Sequence, residues 1–354
     1  MLSLYLFSIA ATLVAARVSA SGDLELHLMS DANGAKCLDG TPGGYYWRAA
    51  ASHVNSTKYL LVLNGGGWCR SLEDCANRAN TSLGSSKHWD SSISDDGITS
   101  IDPTYNPGFS GWNIAYMYYC DGTSYSSNNE TTSMYKDQEL HFRGRRLLDA
   151  FLEDLHRTRG ISNATEVLLT GHSAGGLGAY LQGDNVGDYI YAVAGDDVKF
   201  GVVPDAGWFM PLPRANTKDN YYHDYMVQVL GVLGNSSGWV NPGCVAAHAS
   251  DDPTLCLFAE NSYPHTKYNY MPVQSSYDSW QLPNIIGLEC LPPKCNSSDL
   301  AIAQSFHTSI VASMQQAGAL PPGPTRPPSD PRAGSSAWLI SCVSHSQMFY
   351  GNYF

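Results

Sequence analysis

The chain has little charge, and none of it is arranged to hold a polyanion. Only 15% of its 354 residues are charged, 20 Lys and Arg stand against 32 Asp and Glu, and no basic run occurs. A net charge of −12 without a basic patch excludes nucleic acid, whose phosphates are neutralised by clustered Lys and Arg. No G-x-x-x-x-G-K-[ST] loop is present to cradle nucleotide phosphates. No C-x-x-C or H-x-x-x-H pair is present either, so the usual zinc spacings are missing. Beyond the first twenty residues no stretch is apolar for long enough to span a bilayer. These gaps lead to an expectation of no metal, no organic cofactor and no stable membrane insertion.

What the chain does have is aromatic and apolar material for a large core: 8 Trp, 22 Tyr and 10 Phe among 43% hydrophobic residues. It opens with "LYLFSIAATLVAA" and the small-residue run Val18-Ser19-Ala20, which reads as a secretory leader over residues 1–20. Loss of Arg17 with that leader takes the mature charge to −13. Six N-x-S/T sequons, at Asn55, Asn80, Asn129, Asn163, Asn235 and Asn296, fit a glycosylated extracellular or cell-wall protein. All nine cysteines follow the leader. In an oxidising compartment most should pair, and the odd count leaves at least one over. Cys69 with Cys75 and Cys290 with Cys295 are the short-loop candidates.

Strand-like and helix-like stretches alternate through residues 21–354, read as a single domain. "YLLVLN" (59–64), "NIAYMYYC" (113–120), "EVLLTG" (166–171) and "AWLISCV" (337–343) read as strands. Residues 135–159 and 299–317 repeat apolar positions at helical spacing. Such alternation predicts an α/β fold with a mostly parallel sheet and helices on both faces. The Pro-rich "LPPGPTRPPSDP" (320–331) reads as a surface loop within that domain.

Two stretches carry chemistry. Gly171-His172-Ser173-Ala174-Gly175 is a G-x-S-x-G pattern between a buried-type strand and an Ala/Gly-rich helix, the setting of a nucleophile elbow. "LNGGGWC" (63–69) ends an earlier strand in three glycines. By itself that is a tight turn. Beside an elbow it is also the place for backbone amides that hold a developing oxyanion. The candidate donors are Gly67, Trp68 and Ala174, and Trp68 is placed to wall the acyl pocket. A serine nucleophile needs a base and an orienting acid, in the chain order Ser, acid, His. Among eleven His, His345 alone lies on a loop after the last strand, whereas His307 falls inside a helical pattern. Asp278 follows a late alternating run and is the favoured acid. Asp205, which ends an earlier strand-like run, is held in reserve.

At these residues the chain resembles the pectin acetylesterase family, which also includes Notum-like deacylases. The matching pieces run in order: "CLDGTPGGYYWR", "LNGGGWC", "GSS" (84–86), "YCDGTSYS", "FRGRRLLDA", "GHSAGGLGAYL", "PDAGWF", "YDSWQ" and "SCVSHSQ". The resemblance implies an α/β-hydrolase-like fold, the triad Ser173, Asp278 and His345, and an oxyanion hole of Gly67, Trp68 and Ala174. It also places Asp205 near the site. Two positions depart from the family pattern. Ser346 stands where Cys is usual, so one family disulfide is expected to be missing, and His172 stands where Cys or Thr is common. The expected activity is a secreted serine esterase acting on acetyl esters of pectin or a related polysaccharide. The alternatives are a Notum-like deacylase of acylated protein and a hydrolase-fold binding module without activity.

Overall fold

In the computed structural model, residues 22–30, 33–51, 56–232, 240–248, 252–321 and 336–349 are described. The strands are β1 Leu24–Leu28, β2 Gly44–Arg48, β3 Lys58–Leu63, β4 Ser92–Ile93, β5 Asn113–Met117, β6 Ser133–Tyr135, β7 Gln138–Leu140, β8 Glu166–His172, β9 Lys199–Asp205, β10 Val273–Ser275 and β11 Trp338–Ile340. The helices are α1 Leu72–Arg78, α2 Gly144–Thr158, α3 Ala174–Ala194, α4 Tyr221–Val232, α5 Pro242–Ala247, α6 Ala259–Ser262 and α7 Ser297–Gln316. Nine strands form one sheet in the order β11-β10-β9-β8-β3-β5-β2-β1-β4. From β11 to β5 every pairing is parallel, and β1, β2 and β4 complete an antiparallel flank.

β3 and β8 sit at the centre because their runs suit burial on both faces. Leu61 and Leu63 join the main core with Leu147, Phe151 and Leu155 of α2 and Leu177 and Leu181 of α3. Leu60 and Val62 point the other way, onto Ile98, Ile114, Tyr116 and Met348. A parallel sheet covered on both sides needs such continuous apolar strands. α3 is built differently from α2. Its glycines let it lie close to its neighbours: a Cβ on Gly183 would fall 2.3 Å from the Tyr270 hydroxyl, and one on Gly176 would fall 2.3 Å from the Asp205 carbonyl oxygen.

The sequence expectation of one helix over 135–159 is corrected. β6 and β7 form a hairpin, paired from Ser133↔Leu140 to Tyr135↔Gln138, and the helix starts at Gly144. Lys136 in the two-residue turn has φ 53°, the left-handed geometry that such turns require. Leu140 matched the helical spacing by coincidence. Its partners are Leu38, Cys75 and Phe142 in a separate cluster. The strands expected over 113–120 and 337–343 end early, at Met117 and Ile340. Most of the Pro-rich stretch, together with Asn55 and Asn235, lies outside the described residues. Disulfides join Cys37 to Cys120, Cys69 to Cys75, Cys244 to Cys256 and Cys290 to Cys295. Both short-loop candidates are among them, and Cys342 is free and exposed.

Candidate active site

β8 ends at His172, and α3 begins at Ala174. Ser173 makes the turn between them with φ 56° and ψ −125°, a conformation costly for any side chain but glycine and held only by its surroundings. Those surroundings are backbone. A Cβ on Gly171 would lie 2.4 Å from the Gly175 oxygen, and one on Gly175 would lie 2.1 Å from the Leu63 oxygen. The small residues of G-x-S-x-G are therefore required by the closeness of β3, β8 and α3. Gly175→Ala is expected to cost about 3 kcal/mol, because the added methyl group would overpack against rigid backbone. Thermal and urea melts of the variant against wild type check this.

The glycine stretch leaves β3 beside that turn. A Cβ on Gly65 would sit 2.9 Å from the Ser173 Cβ. Gly66 and Gly67 follow at φ 144° and 69°, and a Cβ on Gly67 would meet nothing within 4 Å. The loop can thus bring amides to the serine with open space in front of Gly67. Ala174 opens α3, where the first N–H groups have no carbonyl within the helix. Trp68 connects the two: its indole N–H donates to Ser124 Oγ at 2.7 Å, and Ser124 Oγ–H donates to the Ala174 carbonyl at 2.6 Å. Ser124 is held in turn by the Tyr119 hydroxyl, which accepts its N–H at 2.8 Å. These supports fall in the "YCDGTSYS" stretch, whose part in the site has no spacing rule to reveal it.

Asp278 and His345 form a direct pair. His345 Nδ1 lies 2.9 and 3.0 Å from the two Asp278 carboxylate oxygens. Asp278 is fully buried and also accepts from Gln274 Nε2, the Trp280 N–H and the Gln281 N–H, each at 2.9 Å. Such a net of donors fixes the carboxylate, and the carboxylate fixes the imidazole tautomer with its proton on Nδ1. His345 Nε2 is buried and has no hydrogen-bond partner among the described residues, so it is the nitrogen left to take a proton. Burial alone would lower the His345 pKa, but Asp278, with a smaller contribution from Asp205, holds it above the ordinary imidazole value.

Asp205 is close by but is not the partner of His345. Its Oδ2 accepts the Met348 N–H at 2.7 Å, and its carbonyl accepts the Ser173 N–H at 3.0 Å. Burial raises its carboxyl to about 7. His307 lies in α7, stacked on Tyr277 with ring centroids 5.0 Å apart. Around His345, Trp280 and Phe209 stand at centroid distances of 6.1 and 6.2 Å. Phe209, Trp280 and Tyr222 pack on Trp68 at 5.0, 6.0 and 6.1 Å. Phe209 and Trp280 fall within the matching pieces "PDAGWF" and "YDSWQ", which assign them no role, and Tyr222 lies outside them, with no periodic signal to distinguish it from a core aromatic. Among the described residues no cluster of His, Cys, Asp or Glu could hold a metal ion.

The chain is similar to several known proteins. The Pectinacetylesterase family model matches residues 17–354. Pectin acetylesterase 4 of Arabidopsis thaliana is 30% identical over 305 residues, covering 81% of this chain and 70% of that protein. The human palmitoleoyl-protein carboxylesterase NOTUM is 28% identical over 271 residues, with 73% of this chain covering 52% of that protein. The solved structure of the Wnt deacylase Notum from Drosophila superposes with a TM-score of 0.79 over 92% of this chain and 86% of that one. At 20% identity, that likeness shows the α/β-hydrolase-like fold alone. The chain belongs to the pectinacetylesterase family and is a carboxylic ester hydrolase.

Proposed function

We propose that the protein is a secreted serine esterase that removes acetyl groups from pectin or a related polysaccharide. Ser173 Oγ attacks the ester carbonyl while His345 Nε2 takes its proton. The Gly67, Trp68 and Ala174 amides receive the charge on the carbonyl oxygen. His345 then gives that proton to the departing sugar oxygen as its bond to the carbonyl carbon breaks, releasing the sugar hydroxyl and leaving an acetyl group on Ser173. Water, deprotonated by the same nitrogen, attacks that group and releases acetate. Asp278 keeps the ring oriented and stabilises the imidazolium that forms in each half-reaction.

The observation that favours a short acyl group is the aromatic wall. Trp68, Phe209 and Tyr222 are 6%, 1% and 2% exposed, and with Trp280 they fill the space beside His345 by packing on one another. A long chain would need those contacts opened. p-Nitrophenyl esters of two to twelve acyl carbons test this: kcat/KM should peak at acetate, and Phe209→Ala should move the optimum to longer chains. A wild-type peak at eight carbons or more would instead favour a deacylase of the kind that the NOTUM relatives' name describes. No turnover at any length would favour the binding-module reading.

Net charge narrows the polymer. A mature charge of −13 repels heavily de-esterified, polyanionic pectin within a Debye length of about 10 Å at 0.1 M salt. Neutral or methyl-esterified chains fit better. The four disulfides support an extracellular or cell-wall location. Exposed side chains at Asn80, Asn163 and Asn296 and a half-buried one at Asn129 support N-glycans there. No helix among the described residues is long and apolar enough to cross a membrane.

A further inference from the structure

The residue before the nucleophile reaches both loops on which the proposed reaction depends. On one side of the His172 ring, the Gly65 N–H donates to Nε2 at 3.0 Å. Asn64 Oδ1 lies 2.9 Å and the Tyr116 hydroxyl 3.3 Å from the same nitrogen. Asn64 and Gly65 open the glycine loop that carries the oxyanion donors. On the other side, Nδ1 faces Ser346 Oγ at 3.5 Å, one residue after His345. Phe349 closes the pocket with its ring edge-on at a centroid distance of 4.6 Å. A backbone N–H can only donate, so Nε2 offers a lone pair and the ring proton belongs on Nδ1. The Asn64 amide, whose oxygen and nitrogen exchange by a half-turn, follows that choice.

We propose that His172 is a positioning residue whose neutral ring ties the start of the glycine loop to the loop bearing His345, holding oxyanion donors and general base in one frame around Ser173. This rests on the Ser173, Asp278 and His345 assignment made above. His172 touches no reacting atom and acts through Gly65 and Ser346. The titratable groups facing it are Tyr116 from β5 and His345 from the C-terminal loop, with Asp205 fastening that same loop at Met348. None of the hydrogen-bond partners of the ring among the described residues is a carboxylate. A charged ring would therefore point an N–H at the Gly65 N–H and stand unpaired beside the His345 imidazolium of each turnover. Burial first, and the nearby His345 second, keep the His172 pKa low, at about 3.

The test is steady-state hydrolysis of p-nitrophenyl acetate by wild type, His172→Leu, His172→Gln and Ser173→Ala, each with a thermal melt. Misplacement of catalytic groups by about 1 Å can cost 10²-fold. His172→Leu should thus lose about 10–100-fold in kcat with KM within about twofold of wild type. His172→Gln, which returns an acceptor near the position of Nε2, should regain most of that loss. Wild-type kcat in His172→Leu overturns the proposal, as does a Gln variant that is folded yet no better than Leu. Should the Leu variant not fold, the Gln variant decides: near-wild-type kcat supports the role, and a loss of 10-fold or more overturns it. Activity surviving in Ser173→Ala would bring down the underlying assignment instead, whatever the His172 variants do.

Discussion

Ser173→Ala should lower kcat/KM on an acetyl ester by about 10⁴–10⁶-fold while leaving the melting curve close to wild type. The size follows from chemistry: without Oγ no acyl-enzyme forms, and only the oxyanion amides and substrate binding remain to help water attack. The fold should tolerate the change because alanine is no more strained than serine at φ 56°, and both retain the Cβ next to Gly65. Steady-state rates and a thermal melt on the same preparation check both halves. A large loss of rate with a collapsed melt would make the result structural.

Asp278→Asn should cost about 10⁴-fold in kcat, because an amide in that place admits the wrong imidazole tautomer. The buried donors from Gln274, Trp280 and Gln281 that now meet a carboxylate would also lose charge-assisted hydrogen bonds. Asp205→Asn should behave differently. Its amide oxygen can still accept the Met348 N–H, so turnover should fall far less. Its main effect should be on pH dependence. His345 must be neutral to act as a base, and its pKa is raised by Asp278 and then Asp205, so the acid limb of kcat/KM lies above pH 6.5 in wild type. Removing the Asp205 charge should move that limb to lower pH.

Stability gives a second readout of Asp205. Its folded pKa of about 7 lies above the ordinary 3.8. The stability it contributes is present below about pH 4 and is lost as pH rises through about 7. Asp205→Asn should cancel that loss, so the variant should gain on wild type as pH rises from 4 to 8. Urea melts across that range, with rate profiles for both Asp variants, check the pair of predictions. If Asp205→Asn were the crippled variant and Asp278→Asn the mild one, the assignment of the acid would be reversed.

The candidate serine, Ser173, was legible in the sequence because the constraint on its turn is local. Gly171, Gly175 and Gly176 sit where any Cβ would strike backbone, and that requirement is written as a short motif. Chain order then pointed to Asp278 and His345 after late strands, and these two side chains are hydrogen-bonded to each other. Much of what supports them had no such signature. Ser124 holds Trp68 across 56 residues of chain, and Gln274 holds Asp278 across four, a side-chain contact that no spacing rule marks. The 135–159 stretch misled for a related reason. Leu140 satisfied a helical period, yet its burial against Leu38 and Phe142 is a tertiary fact that periodicity does not carry. In the sequence His172 is only a departure from the family pattern, since nothing in one sequence tells that Gly65 and Ser346 meet on its ring.

The measurement that bears most directly on the central claim is covalent trapping. Wild-type protein treated with an alkyl fluorophosphonate, which phosphonylates activated serines, would be digested and mapped by mass spectrometry. The account predicts one stoichiometric adduct, on the peptide containing Ser173, with its formation slowed severely in His345→Ala and absent in Ser173→Ala. A stoichiometric adduct on another serine, or esterase activity undiminished after full modification of Ser173, would contradict it.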